Sequence, residues 1–228
     1  MPQVVELVWF HMKPDESEAK IRQVLECIRS ELLSTPGLEA LYYGAGTTIP
    51  QGFVGMNIVK IWSSVDAQHD YLKSPNDFEY EIAKEIIDAS DPVRPPNSVS
   101  FIPESSDHLF RTLASAVTLL SCIWLPAGGD KAAFQARRME VLGDSVDLEN
   151  FGTSAVSAWS VPQSTHPLIG GTDGFLTLYA SADVNEAEAI ASKDKRALTR
   201  LEKFSRVYDQ QYACFSKMMS TCCAVRGF

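Results

Sequence analysis

Apolar residues follow two different spacings along the first third of the chain. The run VVELVWFHM at 4–12 is apolar almost throughout, which predicts a strand buried on both faces. Apolar residues then recur at helical spacing across 21–32, and Pro36-Gly37 predicts the end of that helix. Two further strands are predicted at 38–46 and 56–62, on either side of a turn that contains Gly and Pro.

A further pair of helical patterns and one strand complete this first unit. Residues 65–73 predict a short helix, and a new cap at Ser74 predicts a second helix whose apolar face carries Phe78 and Ile82. A proline-rich loop then leads to a strand predicted at 98–102. The order strand, helix, two strands, helix, strand is that of a ferredoxin-like unit.

The same order of elements returns after a polar linker at 104–112. An apolar strand is predicted at 114–125, followed by a helix that carries Phe134, Val141 and Leu142. The remaining predicted elements are strands at 151–161 and 174–180, helices across 183–211 and a weak strand near 213–221. The second part of the chain is therefore predicted to repeat the first.

Two landmarks align the repeats. Placing Pro14 on Pro126 superposes the two apolar first strands at an offset of 112, and placing 62–66 on 179–183 gives an offset of 117. A single ferredoxin-like sheet leaves one apolar face uncovered, and two such faces cover each other. We therefore predict an α+β fold in which two fused ferredoxin-like repeats close one barrel: residues 1–103, a linker at 104–112, and residues 113–228.

Charge and cysteine content narrow the class of protein. The formal net charge is −9, with 20 basic and 29 acidic residues, so nucleic acid and anionic membrane surfaces are disfavoured as partners. The longest apolar run, Leu113 to Leu125, is shorter than the ~20 residues that cross a bilayer. Five cysteines without CxxC spacing, and an N-terminal stretch without a basic region, favour a reduced cytoplasmic protein.

Three stretches carry a resemblance to a known family: Glu6 to Pro14 (ELVWFHMKP), Ser64 to Tyr71 (SVDAQHDY) and Leu72 to Asp77 (LKSPND). They resemble the dimeric α+β barrel superfamily, which includes antibiotic-biosynthesis-monooxygenase domains, stress-responsive A/B-barrel proteins and olivetolic acid cyclase. Tandem members of this length are familiar among fungal biosynthetic proteins. The resemblance implies a cavity between the sheet and the helices. Tyr71 matches the catalytic tyrosine of the cyclase, but Asp77 stands where the cyclase has its histidine.

Glu6 is the sharpest candidate for chemistry, because it interrupts an otherwise apolar strand. Alternation places it on one face with Val8, Phe10 and Met12, and the resemblance implies that this face lines the cavity. A carboxylate desolvated there would have a raised pKa, as suits a general acid or base. The alternative is a glutamate at a strand end that reaches solvent.

Lys60 interrupts a second apolar strand in the same way. It shares a face with Ile58 and Trp62, and because the first and third strands are neighbours in this fold, it is predicted to face Glu6. A buried pair of this kind needs both partners. The alternative is a lysine whose stem is buried while its ammonium group reaches water.

Other candidates come from the two predicted helices. Tyr71 can donate a proton or bind a substrate carbonyl, or its hydroxyl can find a backbone partner. Asp77 is a catalytic candidate or the third residue of a capped helix, and His69 is a catalytic candidate or an exposed helix residue. Phe78 and Ile82 are predicted to line the substrate pocket together with the apolar residues of the strand faces.

No cofactor is expected. The four histidines are scattered without the pairing of a metal site, and no nucleotide-binding fingerprint, nucleophile elbow or phosphate loop occurs. We therefore predict a cofactor-free cyclase, isomerase or lyase acting on a small apolar, polyketide- or terpenoid-like intermediate, as a monomeric pseudo-dimer or a weak homodimer. A cofactor-independent monooxygenase and a non-catalytic binding barrel are the alternatives.

The two offsets also predict an asymmetry between the repeats. They pair Glu6 with Thr118 and Lys60 with Thr177, so charges occur in the first repeat where the second has hydroxyls. An unpaired charge on an apolar face costs more than a hydroxyl that bonds locally. One functional cavity is therefore expected, in residues 1–103, and valine at Thr118 or Thr177 is expected to be nearly silent.

Overall fold

The computed structural model describes residues 2–13, 19–20, 23, 26, 32, 34–48, 53–73, 77–92, 96–115, 117–125, 129–136, 155–161, 173–181 and 214–219. The strands in these ranges are β1 (Val4–His11), β2 (Leu38–Thr48), β3 (Phe53–Trp62), β4 (Asn97–Pro103), β5 (Val117–Trp124), β6 (Ala155–Ser160), β7 (Gly174–Ser181) and β8 (Cys214–Met219). The helices are α1 (Val65–Lys73), α2 (Asp77–Ala89) and α3 (Leu109–Leu113), and residues 131–136 are also helical.

The strands close into one antiparallel barrel in the order β1-β3-β2-β8-β5-β7-β6-β4. Exchanging β1 to β4 with β5 to β8 reproduces the same cyclic order, so the barrel has an internal pseudo-twofold arrangement. Strand β4 of the first repeat pairs with β6, and β2 pairs with β8, so each repeat covers both sheet edges of the other. The predicted fold class, two ferredoxin-like repeats in one barrel, is confirmed; the repeat boundaries remain a prediction.

Strand β1 is buried on both faces, as its apolar run predicts. Val5 and Leu7 point into the barrel, where they join one core cluster. Val4 and Phe10 point outward and belong to a second cluster, beneath the helices of the first repeat. Burying an aliphatic or aromatic side chain of this size contributes roughly 1.5–3 kcal/mol, so both faces stabilise the strand.

Part of the segment predicted as a polar linker is helical. Its second part forms α3, and the apolar residues at both ends of that helix, Leu109 and Leu113, are buried in the barrel core. A four-residue spacing puts these two side chains on one face of a helix, which explains how a short, largely polar segment can seal the barrel. The following strand consequently begins at Val117 rather than at 114.

Most other elements agree with the predicted pattern. The helix expected at 65–73 is α1, and the helical residues 131–136 include Phe134. Residues 19, 20, 23, 26 and 32 are helical, as the first amphipathic pattern predicts. Val141, Leu142 and the helices predicted across 183–211 lie outside the described residues. No helix in the described ranges is long and apolar enough to cross a membrane.

The turn that leads into β2 determines where α1 packs. Gly37 has a positive φ of 82°, and its carbonyl accepts a hydrogen bond from Ser63 N at 2.8 Å. A Cβ at Gly37 would lie 2.5 Å from Ala67 Cβ, so the helix packs directly on the glycine. Ser64 Oγ accepts a hydrogen bond from Ala67 N at 3.1 Å and caps the helix.

Candidate functional site

The candidate site lies on the side of the first sheet that faces the helices. Strand pairing places Glu6 opposite Lys60 of β3 on one side and opposite Ser100 of β4 on the other. The next row on the same face contains Ser98 and Val8. Alternation along each strand thus brings one acid, one base and two serines onto a surface that is otherwise apolar.

The Glu6 carboxylate is 4% exposed and accepts hydrogen bonds from several donors. Trp62 Nε1 donates at 2.8 Å, Ser98 Oγ at 3.2 Å, and Lys60 Nζ lies at 3.4 Å. Gln68 of α1 also lies close enough to the carboxylate to help lower its pKa. The carboxylate is therefore both buried and well supplied with donors, the condition under which a buried charge is tolerated.

These donors reverse the predicted ionisation of Glu6. Burial, the largest influence, raises the pKa of the carboxyl group, but the charge of Lys60 and the nearby side-chain donors of Trp62, Gln68 and Lys60 together bring the pKa below its ordinary value. The prediction of a raised pKa is wrong, because the strand pattern contains the burial but not the donors. Glu6 is a stable anion, not a poised acid.

Tyr71 projects from α1 towards Trp62 and Lys60. Its ring centroid lies 4.8 Å from that of Trp62, and Lys60 Nζ lies 5.4 Å from the Tyr71 centroid. Both contacts are within the range of favourable aromatic and cation–π interactions. Within the part of the chain that the structure describes, the Tyr71 hydroxyl has no hydrogen-bond partner. The phenol can therefore act on a bound molecule.

The apolar residues predicted around the site differ in burial. Phe10 and Ile58 are buried, together with Trp62, whereas Val8 and Met12 are partly exposed. Lys60, 15% exposed, and Tyr71 belong to the partly exposed group. The accessible part of this face therefore includes Val8, Met12, Lys60 and Tyr71.

The remaining candidate residues lie on the helices, in α2 and at His69 of α1. Phe78 and Ile82 lie within α2, which packs Ile86 and Ala89 against this side of the sheet, but their side chains are outside the described set. Asp77 begins α2, and its proposed cap at Ser74 also lies outside the described residues. His69 is exposed on α1 and does not join the Glu6 cluster. A catalytic role for His69 within this cluster is therefore not supported.

Four polar residues of the site were missed by sequence reasoning. Ser98 and Ser100 alternate with Val99 and Phe101 in β4, and this period of two was a usable signal for a polar face. Gln68 lies between Ala67 and His69 on a short helix, where no pattern marks it as buried. Tyr43, beside the same face, donates its hydroxyl to the Glu26 carboxylate, a contact between separate elements.

The second repeat places Thr177 as predicted but not Thr118. Strand pairing puts Thr118 opposite Ala180, and Thr118 lies on the barrel-interior side with Leu120. Thr177 instead pairs with Ser121, so Ser121 and not Thr118 occupies the register position of Glu6 when Thr177 is matched to Lys60. The reason is that an offset of 112, taken from the prolines, does not hold through the strand. The second repeat still has hydroxyl residues where the first has charges.

An aromatic cluster occupies the corresponding side of the second repeat. Phe134, Trp159 and Phe175 have centroids 4.8–6.0 Å apart in edge-to-face arrangements. Lys131 Nζ lies 5.0 Å from the Trp159 centroid and bonds Asp173 at 2.8 Å. This lysine resembles Lys60 in its aromatic contact and its acidic partner, but Asp173 is much more exposed than Glu6.

No group of three or more metal-ligating side chains comes together among the described residues. No protein-family model matches the chain, and no curated protein matches its sequence.

Several solved structures share the fold over nearly their whole length. A candidate monooxygenase from Fusobacterium nucleatum has a TM-score of 0.57 at 12% identity, covering 100% of this chain and 99% of the other. A candidate monooxygenase from Lactobacillus acidophilus has a TM-score of 0.52 at 13% identity, covering 100% and 98%. An anthrone oxidase-like protein has a TM-score of 0.54 at 10% identity, covering 96% and 92%. At these identities the likeness concerns the fold, which is that of the dimeric α+β barrel proteins.

Proposed function

We propose that this chain acts without a cofactor on a small, mostly apolar molecule that carries an enolisable carbonyl or a phenol. The reaction class is cyclisation, isomerisation or carbon–carbon lysis, and the site lies between the sheet and the helices of the first repeat. The observation that carries the proposal is the position of Lys60. Its ammonium group lies beside the Tyr71 ring in the accessible part of a buried apolar face.

The chemistry follows from the charges. Reactions of this class pass through an enolate or phenolate, and a fixed cation with a phenol donor stabilises such an oxyanion. Lys60 supplies the cation and Tyr71 the donor, while Val8 and Met12 offer apolar contact. Glu6 has a lowered pKa and is saturated with donors, so its proposed role is to hold Lys60 and Trp62 rather than to move a proton.

A phenolic probe, 2-naphthol, tests the oxyanion site directly. Binding to the protein is expected to lower the apparent pKa of the naphthol, seen by its absorbance during a pH titration. Lys60→Met is expected to abolish this shift. Tyr71→Phe is expected to weaken binding roughly fivefold, the worth of about one hydrogen bond.

The second repeat provides a matched control. Lys131 also lies over an aromatic ring and pairs with an acid, so Lys131→Met removes a similar contact outside the proposed site. It is expected to leave the naphthol shift unchanged. Lys60→Met leaves the buried Glu6 charge without its partner, which lowers stability. The double variant Glu6→Gln/Lys60→Met removes that charge as well, so a missing naphthol shift in this variant reports lost binding and not lost stability. If Lys131→Met abolishes the shift and Lys60→Met does not, the site has been assigned to the wrong repeat.

Cofactor-independent oxygenation is the second candidate. It shares the phenolate or enolate step, after which the anion transfers electrons to O₂. The candidate monooxygenases and the anthrone oxidase-like protein that share the fold over almost the whole chain favour it. Oxygen consumption with anthrone, measured by an oxygen electrode, separates this reaction from the first. Binding of 2-naphthol without turnover of carbonyl or phenolic substrates would indicate a binding protein.

A further inference from the structure

Gln68 is the residue of α1 that is buried, although its side chain is polar. Its side chain is 5% exposed, whereas the neighbouring His69 and Asp70 are exposed. An amphipathic helix normally buries apolar residues against a sheet. A buried amide is tolerated only where its donors and acceptor find partners, so the contacts of Gln68 reveal what it does.

Those contacts join the helix to the sheet. Gln68 Nε2 donates to Ser100 Oγ of β4 at 2.6 Å. Ser100 pairs with Glu6 of β1, and the Gln68 amide is close enough to the Glu6 carboxylate to help lower its pKa. The Gln68 side chain therefore restricts rotation of α1 about its own axis.

Tyr71 follows Gln68 by three residues and lies on the same side of the helix. Any rotation of α1 that broke the Gln68 contacts would also move the Tyr71 ring away from Trp62 and Lys60, which it contacts at 4.8 and 5.4 Å. The start of the helix is held separately, by the Ser64 cap and by the packing of Ala67 on Gly37. Gln68 holds the part of the helix that carries the phenol.

We propose that Gln68 is a positioning residue that ties α1 to Ser100 of β4, beside the Glu6 carboxylate, and thereby sets the Tyr71 phenol over Lys60. Its effect on a bound molecule rests on the function proposed above. Its effect on the geometry of Tyr71, Trp62 and Glu6 does not, and the two can be measured separately.

Gln68→Met tests the proposal, because methionine keeps the length and helix propensity of the side chain but removes both donors. The measurements are NMR signals of the Trp62 indole N–H and the Tyr71 ring, and the carboxyl titration of Glu6. We expect both ring signals to shift and the Glu6 carboxyl to titrate at higher pH. Binding of 2-naphthol is expected to weaken roughly fivefold to tenfold. Leu72→Ala, at an exposed position of the same helix, is expected to change none of these.

A purely structural role predicts a different outcome: lower stability, with the Trp62, Tyr71 and Glu6 signals as in the wild type. That result would overturn the proposal. If Gln68→Met does not fold, Gln68→Asn keeps the amide but shortens its reach, and the same signals are expected to move. If wild-type protein does not bind 2-naphthol, the proposed function fails while the NMR signals still decide the role of Gln68.

Discussion

At the scale of single residues, Glu6 determines the electrostatics of the site. Its carboxylate accepts hydrogen bonds from Trp62, Ser98 and Lys60 of two neighbouring strands. Gln68 of α1 lies nearby and helps to lower the pKa of this carboxyl group. Removing one member of a buried ion pair leaves the other without compensation, which typically costs 3–5 kcal/mol, but Lys60 at 15% exposure can still reach water and lower that cost. Glu6 is accordingly important for stability as well as for the arrangement of Lys60.

The pH dependence of stability follows from the lowered pKa of Glu6. In the unfolded chain the pKa of the Glu6 carboxyl group is near its ordinary value of 4.5, which is higher than its pKa in the folded chain. The unfolded state therefore binds more protons as the pH falls. The contribution of Glu6 is present above that value and is lost as pH falls through the folded-state pKa. Glu6→Gln is expected to lower stability at neutral pH and to flatten the acid dependence, measured by urea unfolding at about pH 7 and about pH 4.

Asp70→Asn is the control for this measurement, because Asp70 is an exposed carboxylate. It is expected to unfold with the same acid dependence as the wild type. Parallel curves for wild type and Glu6→Gln would mean that Glu6 does not ionise preferentially in the folded state.

Thr118 has a structural role that the sequence did not predict. It is fully buried, and its hydroxyl donates to the Thr112 carbonyl of α3 at 3.0 Å. Thr118→Val is therefore expected to cost about 0.5–1.5 kcal/mol, instead of being silent, while the Ser115 hydroxyl still satisfies the same carbonyl. Urea unfolding measures the loss. Thr118→Ser keeps the hydroxyl but loses a buried methyl, so the two variants separate hydrogen bonding from packing; equal stability of wild type and Thr118→Val would contradict this role.

At the scale of elements, the docking of α1 brings the site together. The helix is capped by Ser64, packs Ala67 on Gly37 and buries Gln68 against the sheet. These three contacts all lie at or near the start of a short helix. Because Tyr71 lies one turn further along, a change in docking is expected to reach the phenol before it reaches the sheet.

Gly37→Ala is expected to undock α1. The positive φ of 82° disfavours any other residue, and the new methyl would overlap Ala67 Cβ at 2.5 Å, which cannot turn away. We expect a loss of roughly 1–3 kcal/mol, measured by urea unfolding, with a change in the Trp62 indole signal. The double variant Gly37→Ala/Ala67→Gly relieves the overlap but not the backbone strain, so it is expected to recover the indole signal more than the stability. An unchanged indole signal in Gly37→Ala would show that the close packing is not needed.

At the scale of the whole molecule, closure of the barrel leaves no described strand with an open edge. Each of the eight strands has a neighbour on both sides, and two of the contacts, β4 with β6 and β2 with β8, join the two repeats. An unpaired edge is the usual route by which sheets associate, and a closed barrel removes it. The two repeats therefore cover each other's sheet edges within one chain.

The protein is accordingly expected to be a monomer. Analytical ultracentrifugation should give a mass near 25.1 kDa, independent of concentration in the micromolar range. A weak dimer of complete barrels at high concentration is compatible with the fold. An obligate dimer whose repeats separate and pair between chains would contradict intramolecular closure.

The sequence by itself determined the order of the elements and which residues share a strand face. Alternation and helical spacing are local properties, so the run at 4–12 was enough to place Glu6 with Val8, Phe10 and Met12. The adjacency of Glu6 and Lys60 followed from the strand order of a ferredoxin-like unit, and the pairing of β1 with β3 confirms it. The division of the described helices and strands into two repeats could likewise be predicted from the repeated pattern.

Only the tertiary structure decided what that face does chemically. The pKa of Glu6 depends on donors 54, 56 and 92 residues away and on Gln68, and no local pattern contains their distances. The register of β5 and β7 likewise decided that Thr118 faces the barrel interior, because a shift of one residue exchanges the two faces of a strand. Periodicity specifies which side of an element is buried, but the free energy of a buried charge is set by the atoms that other elements bring to it.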